Sequence, residues 1–89
     1  MTQVNLTSMQ VTGPIESGRR RKWFFDFVPN PLPQPGDFID TKLGRYYEVE
    51  NNEATPKEDK QGNLLRVSTR IFVLSEHNNK CWIVQLVCE

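Results

Sequence analysis

Four consecutive basic residues, Arg19-Arg20-Arg21-Lys22, run directly into Trp23-Phe24-Phe25 and form the sharpest chemical signal in this sequence. Basic side chains contact phosphates and aromatic rings stack on bases. Interleaved on a β-surface, the two together hold single-stranded nucleic acid. Arg45 with Tyr46, and Arg66 with Arg70, would extend the track. The nucleic-acid-binding set is then Arg19, Arg20, Arg21, Lys22, Phe24, Arg45, Tyr46, Arg66 and Arg70. The charge balance argues the other way. Eleven Lys and Arg face eleven Asp and Glu, and a neutral chain lacks the field that supplies most unspecific nucleic-acid affinity. Aromatics in a core, with charges solvated at the start of a strand, are the favoured reading.

Other chemistry is thinner. His77-x-x-x-Cys81 offers two zinc ligands where a structural site needs four, and Cys88 lies too far along the strand to join them. Glu48 and Glu50 share a strand face roughly 7 Å apart, and Asp37 and Asp40 flank a short strand. Both patterns are common on solvated sheets, and general acid–base work needs paired groups in a cleft. With a single His, no nucleophile context and only isolated glycines such as Gly36 and Gly44, no catalytic or phosphate-cradling motif emerges. The expectation is a non-enzyme without metal or cofactor.

Cys81 and Cys88 sit seven positions apart in one strand-like run. They would lie more than roughly 20 Å apart, beyond disulfide reach. Both are expected to stay reduced. No apolar stretch nears the ~20 residues that span a bilayer, and Met1-Thr2-Gln3-Val4 lacks the basic and apolar start of a secretory signal. These features point to a soluble, cytoplasmic protein with no membrane partner.

The elements that must position these residues are strands. At 89 residues with 37% apolar composition, the chain makes one domain with a single modest core. Strands are expected near 3–12, 22–28, 37–40, 45–50, 64–74 and 80–88, the last two forming a hairpin through a turn at 75–79. Pro29, Pro31, Pro33 and Pro35 exclude helix and central strand, leaving a stiff extended crossover. Thr55-Pro56-Lys57-Glu58 carries helix-start chemistry, with at most one short helical turn over 56–61. The pattern Pro35-Gly36-Asp37, a short strand, then Gly44-x-Tyr46-Tyr47-x-Val49 resembles the start of SH3-like small barrels, a likeness spanning 35–49. No functional residue is carried over from it.

The fold expected is therefore all-β: a small antiparallel barrel or sandwich of five or six strands, SH3-like or OB-like. Its core would hold Leu6, Trp23, Phe25, Phe27, Ile39, Tyr47, Val49, Val67, Ile71, Val73, Trp82, Val84 and Leu86, with Met9 and Val11 as further inward candidates. The apolar runs near 71–74 and 81–87 alternate poorly. Simple alternation then places Phe72, Leu74, Ile83 and Val87 together on the second face, a patch large enough to drive self-association. The leading functional expectation is a protein–protein binding module, as a homodimer through that patch. The alternative is an OB-like single-strand nucleic-acid binder.

Overall fold

The computed structural model describes residues 6–74 and 82–89 and is all-β. One seven-stranded sheet comprises β1 (Leu6–Pro14), β2 (Arg20–Phe25), β3 (Phe38–Asp40), β4 (Arg45–Glu50), β5 (Glu53–Glu58), β6 (Leu64–Leu74) and β7 (Trp82–Cys88). The strand order is β3-β6-β7-β1-β2-β4-β5. The sheet curls into a half-barrel with extents of 45 × 31 × 18 Å. Among the described residues, no helix is long and apolar enough to cross a membrane.

The core lies on the concave face. In β1, Met9, Val11 and Gly13 are buried while Ser8, Gln10 and Thr12 are only half-buried, the period-two signature of a strand with one inward face. Cross-strand partners share a face, so the register carries this choice outward. Met9 stands opposite Phe25 and Val84, and Val11 opposite Trp23 and Leu86. Ile39, Leu65, Val67 and Cys88 complete the buried set. The proline-rich segment packs Val28 and Leu32 against it. β1 and β7 run parallel, so β7 lies between β6 and β1 inside the sheet. That pairing departs from the all-antiparallel expectation.

Two local features explain where the expected core differs. The first is a bulge in β6. Val67 pairs with Cys88 and Thr69 with Val87, which leaves Ser68 as an extra residue. An extra residue reverses the inside–outside sense of everything beyond it. Arg70, Phe72 and Leu74 therefore face the same way as Leu86, Val84 and Trp82, while Ile71 and Val73 pair with Gln85 and Ile83 on the convex face. Ile71 and Val73 are not core residues. Phe72 and Leu74 do not share a face with Ile83 and Val87.

The second is the β4–β5 hairpin. Asn51 and Asn52 adopt φ of 52° and 63°, the left-handed pair that a tight two-residue hairpin turn requires and Asn tolerates. Residues 53–58 fold back on β4, with Glu50 opposite Glu53 and Arg45 opposite Glu58. The segment expected to hold a helical turn is thus a strand, and it is the seventh. Among the described residues, nothing covers the convex face of this hairpin, so Tyr47 and Val49 are 58% and 71% exposed, and Tyr46 packs against the core instead. Phe27 lies beyond the end of β2 and is 60% exposed.

This parity is testable by truncation. Leu86→Ala should cost about 2–5 kcal/mol, as a buried aliphatic side chain does. Val49→Ala should stay within about 0.5 kcal/mol. Urea unfolding followed by Trp fluorescence measures both; equal losses at the two positions would contradict the register.

Candidate interaction surfaces

The site builds outward from one buried carboxylate. Asp59, just after β5, accepts hydrogen bonds at Oδ2 from the Trp23 indole Nε1 (3.0 Å), the Thr41 hydroxyl (2.8 Å) and Asn63 Nδ2 (3.3 Å). Its Oδ1 accepts from the Gly62 N–H at 2.8 Å. Its backbone donates to Gly44 O and accepts from Leu43 N. Burial alone would raise the pKa of this carboxyl, but the bonds from Gly62, Thr41, Trp23 and Asn63 outweigh it and hold the pKa below the ordinary 3.8. Gly62 is required here: its φ is +79°, and a Cβ would collide with Asp40 and Lys42. A hollow of about 550 Å³ lies alongside, between Ile15, Tyr46 and the 58–63 segment. With its acceptors committed to the fold, Asp59 is a structural anchor of that hollow.

A cleft opens where the hairpin leaves the rest of the sheet. β2 pairs with β1 at every one of its positions, but with β4 only at Phe24 opposite Arg45. Beyond that point the strands splay. They leave a cleft of about 650 Å³ between residues 19–22 and Phe24 on one wall and residues 47–50 on the other. At its apex the Phe24 and Tyr47 rings meet edge to face, 5.8 Å between centroids. Arg21 stacks over the Tyr46 ring at 3.8 Å.

The expected basic track is only partly assembled. Arg19, Arg21, Lys22 and Phe24 border the cleft together, but Glu48 and Glu50 form the opposite wall. Arg20 also lines that wall, but its guanidinium is engaged elsewhere, donating to Cys88 O at 3.0 Å. Arg45 is paired with Asp26 in an exposed ion pair, and Tyr46 lies under Arg21. Arg66 stands opposite Phe38 on the far side of the sheet. Arg70 donates to Pro33 O at 3.2 Å and stacks over Phe72 at 5.4 Å. Asp37 and Asp40 accept from the backbone N–H groups of Gln34 and Lys42, closing turns rather than facing each other. His77 and Cys81 lie outside the described residues. Cys88 is a free, buried thiol; burial pushes its pKa up and the nearby Arg20 charge only partly offsets this, so it stays neutral and unreactive.

A second surface is the outer edge of β6. β3 covers only Leu64, Leu65 and Arg66, and both backbone groups of Val67 are taken by Gly36 and Asp37. Among the described residues, nothing pairs with that edge over residues 69–74. Ile71, Phe72, Val73 and Leu74 remain 42%, 42%, 36% and 45% exposed. An apolar hollow of about 370 Å³, lined by Leu6, Leu32, Phe72 and Trp82, adjoins it on the concave side. Ile83 and Val87 are half-buried on the convex side.

No family model, curated protein or solved structure matches the chain. The residues that sequence reasoning missed are Asp59, Thr41 and Asn63. Their only local signal is that Asp59 and Asn63 flank Gly62 in a polar loop; nothing in the pattern couples them to Trp23.

Replacing Asp59 by Asn puts an amide where four donors converge. At least one donor then loses its acceptor, at a cost of about 1–3 kcal/mol. Because the folded pKa is lowered, the contribution of Asp59 is complete above the unfolded carboxylate pKa and is lost as pH falls through the folded one. Wild type should therefore show a steeper loss of stability on acidification than Asp59→Asn. Parallel slopes in urea titrations across acidic pH would remove this role.

Proposed function

We propose that this protein is a non-enzymatic β-domain that acts through protein–protein contacts and pairs with a second copy of itself along β6. The observation that carries this reading is the open edge over residues 69–74. An unpaired row of backbone donors and acceptors is a template for another strand, and folded proteins ordinarily blunt such edges with charge, proline or brevity. Here the edge carries Ile71, Phe72, Val73 and Leu74 in succession, apolar on both faces. Its one charge, Arg70, is engaged with Pro33. An antiparallel pairing about a two-fold axis near Phe72 would join the two half-barrels into one continuous sheet and cover the apolar residues of both copies. The nucleic-acid reading is weaker because a phosphate backbone, charged at every unit, would have to pass the concave-facing Glu48 and Glu50, and Arg45 is already paired.

Light scattering after size exclusion tests the pairing. Wild type at tens of micromolar should run at twice the chain mass. Ile71→Lys/Val73→Lys places two charges on the convex side of the edge, clear of the core, and should give a folded monomer. A monomeric wild type, or a variant that remains dimeric, would overturn the β6 interface. Fluorescence titration with single-stranded oligonucleotides at low salt should show no binding; saturable binding there would restore the alternative.

A further inference from the structure

The β2–β4 cleft is a second surface, independent of β6. We propose that it receives an extended, acidic segment of a partner protein, which adds as a strand to the free edge of β2.

Three observations converge on this. The two strands meet only at Phe24 and Arg45, so beyond that point every second backbone N–H and C=O of β2 and of β4 is turned toward the cleft. Its volume of about 650 Å³ leaves room for several residues of an extended chain along the open edge of β2. It also has a sided chemistry. Lys22 and Phe24 share the convex face of β2 with Thr12 and Gln10, their partners in β1. Tyr47 and Val49 project on that same face from β4, both largely exposed. A strand laid along β2 would therefore set alternate side chains between a lysine and two apolar groups. A glutamate fits there, its carboxylate toward Lys22 and its stem on Tyr47. The intervening side chains would point to the concave side, between Arg21 and Glu48, where a small hydroxyl residue suits both. Main-chain bonds would supply affinity and the alternating side chains selectivity, as in β-strand addition generally. Arg19, at the cleft mouth, adds a positive charge that no carboxylate among the described residues pairs.

The probe is a fluorescein-labelled octapeptide of alternating Glu and Thr, compared with its Lys–Thr counterpart and with a form N-methylated at alternate backbone positions. The protein is the Ile71→Lys/Val73→Lys variant, or wild type if that proves monomeric, so the outcome does not depend on the β6 pairing. At low salt the Glu–Thr peptide should bind at least tenfold more tightly than either comparison peptide. Hydrogen exchange read by NMR should show new protection at residues 20–22. Arg19→Glu/Lys22→Glu should lose at least tenfold in affinity at an unchanged unfolding midpoint; if that variant is destabilised, Lys22→Gln with a reduced loss serves in its place. No binding, equal binding of the N-methylated peptide, or protection confined to residues 69–74 would each overturn the site. So would strong protection, in the free protein, of those amides among residues 20–22 that point away from β1, which would mean that the cleft is closed by β4 itself.

Discussion

The Asp59 carboxylate is the constraint on which the arrangement depends. It gathers the Trp23 indole from β2, the Thr41 hydroxyl from the turn after β3, and two donors from the loop that leads into β6. A buried charge is tolerated only where hydrogen bonds replace its lost hydration, and here both oxygens are committed. Its backbone bonds to Gly44 and Leu43 continue the β4–β5 pairing and close the open end of the hairpin. β4 is joined to β2 by the Phe24–Arg45 pairing, the Arg45–Asp26 ion pair and the contacts of Tyr46 and Tyr47 with Arg21 and Phe24, and the Trp23–Asp59 bond fixes the base of the hairpin against β2. The width of the β2–β4 cleft is set by this polar anchor together with those side-chain contacts.

A half-barrel leaves edges that a closed barrel would not have, and this one treats them unequally. β3 is three residues long, too short to template much pairing. β5 is exposed at every position and carries Glu53, Lys57 and Glu58 around Pro56, the charge and missing donor that discourage a further strand. The outer edge of β6 beyond Val67 has no proline, and its one charge, Arg70, is drawn to Pro33; the cleft between β2 and β4 is an interior edge with charged walls. The two unblunted edges differ in chemistry: one is apolar on both faces, the other is polar and sided. That difference is why a second copy suits the first and an acidic segment the second.

What the residue pattern determined by itself is the kind of object and most of its centre. β-branched and aromatic runs dictate strands whatever they pair with, and Trp23, Phe25, Ile39, Val67, Val84 and Leu86 are buried in keeping with their alternation. The β6–β7 pairing was legible from two long apolar runs close in sequence. What only the tertiary structure decided are the relations that alternation cannot carry. One extra residue at Ser68 reverses the facing of residues 69–74, because strand periodicity is two and a single insertion inverts it. The polar segment 53–58 has no β signal of its own; it becomes a strand because the Asn51–Asn52 turn returns it to the backbone of β4. The parallel β1–β7 pairing joins the two ends of the chain, and the Trp23–Asp59 bond spans 36 positions. Such contacts are chosen by which surfaces remain after local pairs have formed, and that information lies in the assembled fold rather than in any window of residues.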